Sequence, residues 1–322
     1  MRTSYKGLLA AGTMAVLSFG ASAQTTWNMA TPYPEAEFHT QNINQFAKDV
    51  NTLSGGELSI KVHSGQSLLK HPEIPRAVRA GQVEIGETIM SNLSNQSPLF
   101  QVDSIPFLVT SYDSAQKLWS GQRPFVEAYL KDQGMRLIYA VPWPGQGFFT
   151  KKEINKLADL EGVRFRTYNS TTEQMARLMK AVPTTVEAVE IPQAFSAGIV
   201  DAMVTSAATG VRNEAWEFSD YYYDIQAWMP KNMIYVNERA FQRLSPKSQQ
   251  AVLEAGKQAE VRGWKMSQDV FATTTEGIKA KMKYRQPSED LMKGLAQVGD
   301  VMTASWAQAV GADGEKMLAP LR

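Results

Sequence analysis

Cysteine is absent from all 322 residues. The fold therefore owes nothing to disulfides, thiol chemistry is unavailable, and no lipid-attachment cysteine follows the N-terminal segment. Charge of one sign is also missing, since 33 Lys and Arg stand against 32 Asp and Glu. Without a basic surplus or a charge block, nothing argues for nucleic acid or an anionic membrane as partner. Histidine is scarce: His39, His63 and His71 are the full set. No H-E-x-x-H, G-x-S-x-G, Walker or dinucleotide pattern accompanies them, so catalysis has little to stand on and no cofactor or metal is expected. His63, His71 and Glu73 are one combination a metal could use, against the plainer reading of scattered polar groups. Internal repeats and low-complexity tracts are missing too, and past the N-terminus no apolar run reaches the roughly 20 residues that span a bilayer.

What is present begins with an address. In MRTSYKGLLAAGTMAVLSFGASAQ, Arg2 and Lys6 form a basic region, Leu8 to Phe19 an apolar one, and Ala21-Ser22-Ala23 a small-residue cleavage signal. This is the pattern of a Sec-type signal peptide cut after Ala23, and it predicts a soluble periplasmic chain with no membrane insertion after cleavage. Roughly 300 residues then remain, more than one hydrophobic core usually holds, so two lobes are expected.

Periodicity supplies the elements. Trp27 to Ala30 reads as a strand broken by Pro32 and Pro34, Phe38 to Leu53 as a helix stopped at Gly55-Gly56, and Leu58 to His63 as an alternating strand. His71 to Ala80 and Val83 to Thr88 continue the rhythm, which implies a parallel sheet with helices on its faces. A helix over Ser114 to Gln133 and a strand over Met135 to Val141 follow. The proline- and glycine-rich Trp143-Pro144-Gly145-Gln146-Gly147 then interrupts the rhythm and marks a first crossing between lobes. Lobe two takes Phe148 to Thr150, Val163 to Thr167, helices over Ser170 to Lys180 and Ile191 to Ala197, and the strand Ala202 to Ser206, with a topology expected to repeat that of lobe one. Ser248 to about Thr274 forms one long helix, near 40 Å at 1.5 Å per residue.

Arg166 ends the strand Val163 to Thr167, where open α/β sheets expose ligand-binding groups. Around it stand Phe165-Arg166-Thr167, Pro183-Thr184, Glu190 and Val200-Asp201-Ala202. In order and spacing these resemble the solute-binding proteins of tripartite ATP-independent periplasmic (TRAP) transporters, the DctP-type family, in which the arginine pairs with the ligand's carboxylate. The Pro106-Phe107-Leu108 segment extends the resemblance. It implies an α/β, periplasmic binding protein-like fold: two α/β lobes, a ligand cleft between them and a long helix spanning both. It also implies that the strand Asn232 to Val236 returns to lobe one. The expected organisation is a signal peptide at 1–23, lobe 1 at 24–143 plus 232–271, and lobe 2 at 144–231 plus 272–322, with the C-terminal helices near Glu289 to Ala309 on lobe two.

A closing receptor needs ligand contacts from both lobes. Arg166 is the leading candidate, because a guanidinium grips a carboxylate through two parallel hydrogen bonds; the rival is an interlobe salt bridge. Tyr168 and Asn169 offer a hydroxyl and an amide, although Asn169 is equally an N-cap for the next helix. Tyr33, Glu35, Phe38 and His39 follow the first strand, where the family places contacts; Glu35 could instead cap the helix and Phe38 belong to the core. Glu73 has a counterpart in the family and sits one turn from Arg76. Glu87 stands at a strand end, as a hydroxyl acceptor or as a buried partner of a cation, with Ser91 and the weaker Asn92 beyond it. Trp143, Gln146 and Phe148 form an aromatic wall or hinge packing at the crossing. Thr205, followed by Ser206, replaces the family's usual Asn, and the second arginine some members carry near Phe148 is missing. Trp228 and Asn232 open the returning strand, while Glu187 and Glu190 fall near the cleft by the resemblance.

These features point to a monomeric receptor for a small carboxylate, a hydroxy or sugar monocarboxylate above all, with keto and aromatic acids also open. Its partner would be the TRAP permease, engaged transiently. A ligand sensor for a signalling receptor would share the fold, and a periplasmic enzyme is the third class.

Overall fold

The computed structural model describes residues 24–322; the signal peptide expected at 1–23 lies outside the described residues. Strands run β1 (Thr25–Ala30), β2 (Leu58–His63), β3 (Ile85–Ile89), β4 (Met135–Pro142), β5 (Gln146–Thr150), β6 (Arg164–Thr167), β7 (Val182–Thr185), β8 (Ala202–Ser206), β9 (Tyr221–Tyr223), β10 (Lys231–Asn237) and β11 (Lys283–Arg285). They form one sheet in the order β2-β1-β3-β10-β4 and a second in the order β11-β9-β5-β8-β6-β7. Each sheet, with its helices, is a lobe.

The lobes repeat one strand plan. In each, three strands run parallel (β2-β1-β3 and β7-β6-β8), and a fourth lies antiparallel beside them, β10 in the first and β5 in the second. That fourth strand has just crossed from the other lobe. It enters at the end where its neighbours finish, so the parallel sheet expected from the rhythm is mixed instead. The second lobe adds β11 at its edge.

The two crossings run side by side and bond to each other: the Trp143 amide donates to the Pro230 carbonyl (2.7 Å), and the Gln146 amide to that of Trp228 (3.0 Å). Gly145 leaves room for the Gln226 side chain, whose oxygen would lie 1.8 Å from a Cβ at that position and would have to turn aside.

Local sequence explains the helices. Phe38–Leu53 buries Phe38, Ile43, Phe46 and Val50 on one stripe, starts from a Glu37 N-cap and is followed by Gly55 and Gly56, both with positive φ. The long helix covers Pro246–Lys281, 36 residues, or about 54 Å at 1.5 Å per residue. It packs on Phe38–Leu53 and β4 in the first lobe and on Ala207–Arg212 and β11 in the second. Gly263 permits the close approach, since a Cβ there would fall 2.4 Å from Val141.

Each sheet has a core on both faces, so neighbouring residues alternate between cores. Met233 faces one core of its lobe and Ile234 the other; Phe148 packs with Phe165 and Val204, Phe149 with Met203 and Tyr222. The C-terminal helix Glu289–Val310 buries Leu291, Leu295, Met302 and Trp306 in the core that holds Phe148. No helix among the described residues is long and apolar enough to cross a membrane.

Candidate ligand cleft

A cavity lies between the lobes, beside the paired crossings. Tyr33, His71, Ile89 and Asn92 line it from the first lobe, Trp143, Gln146 and Pro230 from the crossings, and Arg166, Tyr168, Glu187, Ala188, Thr205 and Thr209 from the second lobe. Its volume is about 50 Å³. A single water needs on the order of 10–15 Å³, so the space suits a handful of waters or a compact ligand.

Arg166 is 3% exposed. Its Nε donates to the Val186 carbonyl (2.9 Å), which fixes the guanidinium at the end of β6, and Tyr168 lies alongside with its ring 5.1 Å away. No carboxylate forms an ion pair with it among the described residues, and its terminal nitrogens have no protein hydrogen-bond acceptor there. Burial pulls its pKa down to about 10, partly offset by Tyr168, Glu187 and Tyr33. It remains a cation at neutral pH. A buried cation that no carboxylate meets at bonding distance is costly, and an incoming carboxylate is the natural way to relieve it.

The first lobe treats its buried charge differently. Glu87 is fully buried; its carboxylate accepts from the Thr31 hydroxyl and from Asn232 Nδ2 (2.7 Å), with His39 Nδ1 3.6 Å away. Asn232 Oδ1 in turn accepts from Trp143 Nε1 (2.8 Å) and lies 3.4 Å from the Tyr33 hydroxyl. Glu87 and Asn232 therefore hold two cavity-lining aromatics from behind. Burial pushes the Glu87 carboxyl up to about 7 and holds the His39 imidazole below its ordinary range.

Polar contacts cross the cleft. Asn169 Nδ2 donates to Ser91 Oγ (2.7 Å), and Ser94 and Ser170 share a hydrogen bond (2.9 Å). Glu37 lies 3.0 Å from Arg212 Nε, at ion-pair distance but without hydrogen-bond alignment, and His71 Nδ1 is 3.5 Å from Glu187.

Of the residues singled out in the sequence, Tyr33, Trp143, Gln146, Arg166, Tyr168 and Thr205 line the cavity. Phe38, His39, Glu87, Ser91, Asn169, Trp228 and Asn232 stand behind its walls or across the lobe junction. Trp228 is buried and donates from Nε1 to the Tyr168 hydroxyl (3.2 Å). Asn169 N-caps the helix Ser170–Leu178, accepting from the Thr172 amide (3.0 Å), and spends its Nδ2 on Ser91.

Four expectations need correction. Glu35 is exposed and accepts from Asn44; the buried acid of that loop, and the helix cap, is Glu37 two residues on. Glu73 is exposed and accepts the Lys70 amide (3.0 Å), closing a short turn rather than facing ligand. Phe148 shares a sheet face with the cavity-lining Gln146 but sits two residues further along β5, where it packs into the second-lobe core with Phe165 and Val204. Ser206 is buried as the N-cap of Ala207–Arg212.

Asn92 and Glu187, noted in the sequence but left out of the leading set, do line the cavity, whereas Glu190 is exposed and accepts the Glu187 amide (3.3 Å). His71, weighed in the sequence only as a metal ligand beside His63 and Glu73, and Thr209, which was not singled out, line the cavity too. For His71 the signal was present, but its acidic partner is Glu187, 116 positions away by numbering, rather than the nearby Glu73.

Comparison with known proteins matches this geometry to a family. The family described as "Bacterial extracellular solute-binding protein, family 7", DctP, matches residues 29–309. Among solved structures, the Bordetella pertussis extracytoplasmic solute receptor DctP7, which binds pyroglutamic acid, is 46% identical with a TM-score of 0.90, covering 92% of this chain and 99% of its own. The DctP6 receptor of the same organism, also binding pyroglutamic acid, is 42% identical at the same TM-score and coverage. A TRAP solute-binding protein from an unidentified marine microbe, solved with co-purified pyroglutamate, is 36% identical with a TM-score of 0.90, covering 92% of this chain and 98% of its own. The chain belongs to the DctP family of TRAP-transporter solute-binding proteins, a family of periplasmic receptors rather than enzymes.

Proposed function

We propose that this protein is an exported receptor that captures a small cyclic monocarboxylate, pyroglutamate, between its lobes and delivers it to a TRAP-type permease. The observation that carries the reading is Arg166: a buried guanidinium that forms no ion pair with a protein carboxylate, facing the cavity between the lobes. One such cation calls for one carboxylate, bound through two parallel hydrogen bonds and strengthened by the exclusion of water. A cavity this small favours a compact acid over a sugar acid, which shifts the expectation from hydroxy and sugar acids towards a lactam acid. The receptors that share 36–46% of the sequence and bind pyroglutamate support the same choice.

Export would follow cleavage after Ala23, giving a periplasmic protein that begins at Gln24.

Mass spectrometry of small molecules released on denaturing the purified protein, followed by calorimetry of the stripped protein, tests the reading. Pyroglutamate should appear in the first and bind stoichiometrically in the second, with Kd at or below the micromolar range, about 8 kcal/mol, while glucuronate gives no heat. A released uronate, or equal binding of both acids, would sink it. Loss of pyroglutamate uptake in a deletion strain separates transport from sensing.

A further inference from the structure

Besides Arg166, the cavity exposes a second ionised group that the carboxylate pairing does not use. Glu187 lines the space from the second lobe, and its side chain is 23% exposed. Burial pushes its carboxyl up, but His71 and the Arg166 and Lys70 charges outweigh that, so its pKa falls below the ordinary value and it accepts hydrogen bonds only. Its recorded ion-pair partner among the described residues is the His71 ring, with Nδ1 at 3.5 Å, beyond a good hydrogen bond.

His71 is itself held in place. Its Nε2 lies 3.2 Å from Asn92 Nδ2 and 3.1 Å from the Thr88 hydroxyl. An amide nitrogen only donates, so in this arrangement Nε2 accepts and the ring proton sits on Nδ1, towards Glu187. Asn92 Oδ1 is left buried without a partner. The cavity thus offers one cation for a carboxylate and, elsewhere on its wall, the Glu187 carboxylate, whose acceptor capacity is not filled by the protein.

We propose that Glu187 selects the ligand by accepting a hydrogen bond from its ring N–H, so that this receptor takes lactam acids and rejects isosteres with oxygen in place of that N–H. This rests on the lactam-acid reading above and adds to it the group that distinguishes a lactam from other small monocarboxylates. A carboxylate facing a ring oxygen has lone pairs opposed to lone pairs and gains no bond, whereas facing an N–H it makes a charge-assisted one. A site built around such a bond discriminates strongly against the analogue that lacks it.

Calorimetry of the stripped full-length mature protein with pyroglutamate and with its lactone isostere, 5-oxotetrahydrofuran-2-carboxylate, tests the assignment in wild type and Glu187→Gln. Wild type should prefer the lactam by roughly 30-fold or more, the range for a hydrogen bond to a charged group. Glu187→Gln should narrow the preference to within about 5-fold, because its amide can turn a donor towards the ring oxygen. Equal binding of lactam and lactone by wild type, or an unchanged ratio in the variant, overturns the role of Glu187 and leaves the lactam-acid reading standing. Failure of wild type to bind pyroglutamate at all overturns that reading, and this assignment with it.

Discussion

The two lobes share a strand plan yet manage buried charge in opposite ways. In the first, Glu87 is met by Thr31 and Asn232 from its own lobe, and the result is a rigid wall behind Tyr33 and Trp143. In the second, Arg166 is held by a backbone carbonyl and an aromatic ring, and Glu187 acts on it through charge without forming an ion pair. A polar group satisfied within its own lobe is architecture. One left unsatisfied between lobes is a site, and closure around a ligand completes it.

The contrast breaks most visibly at Arg166. Arg166→Ala should cost about 10³-fold in affinity for the carboxylate ligand, as expected when one side of a buried, hydrogen-bonded charge pair is removed. Arg166→Lys should fall between, since an ammonium lacks the planar fork. Without ligand, Arg166→Met should melt no lower than wild type, because it removes a buried charge whose desolvation is only partly offset. Calorimetry and thermal melts check both halves. Binding within 5-fold of wild type would mean that Arg166 is not the clamp.

Glu87 sharpens the comparison through pH. Its folded pKa, about 7 because of burial, exceeds the ordinary 4.5. The folded protein therefore holds this proton more tightly than the unfolded chain does. The stabilisation is full below about pH 4.5 and is lost as pH rises through 7. Glu87→Gln stays neutral, so relative to wild type it should gain on the order of 2–3 kcal/mol between pH 5 and pH 8. Urea melts at the two pH values measure this, and a constant difference would show that the carboxyl is already ionised at pH 5.

How much of this the sequence carried follows the same division. Arg166, Tyr33 and Trp143 were legible because each follows a strand or breaks the rhythm, and both features are local. Glu37 and Glu35 are not separable by periodicity at a helix start, where a two-residue shift exchanges a buried cap for a surface acid. His71 and Glu187 meet only through lobe closure, which no local pattern encodes. The repeated topology left no sequence repeat to find, because it resides in strand order. Mixed strand direction likewise depends on which lobe a strand has just left. The helix Pro246–Lys281 outran its expected ends because its last turns, from Glu276 to Lys281, bury Ile278 alone among glycine, alanine and charged residues, too few apolar positions to show a period.

A smaller effect is expected at Glu37 and Arg212, a charge pair that joins the lobes instead of belonging to either. Burial raises the Glu37 pKa despite the nearby guanidinium, so the pair costs desolvation and repays part of it on closure. Glu37→Gln and Arg212→Gln should each weaken ligand binding by about 10-fold, and the double variant no further, a coupling of roughly 1–3 kcal/mol. Additive losses would mean that the pair does not couple closure to binding.

The smallest effect separates two jobs of one residue. Asn169 accepts from the Thr172 amide as a helix cap and donates to Ser91 across the cleft. Aspartate keeps the cap and removes the donor. Asn169→Asp should therefore preserve ligand-free stability to within about 0.5 kcal/mol while weakening binding by about 5-fold. Asn169→Ala should lose both, with about 1 kcal/mol of stability gone. If Asn169→Asp and Asn169→Ala weaken binding and stability alike, the cap is the whole of Asn169's role. If Asn169→Asp weakens binding alone, a hydrogen bond between lobes contributes to ligand affinity without touching the ligand.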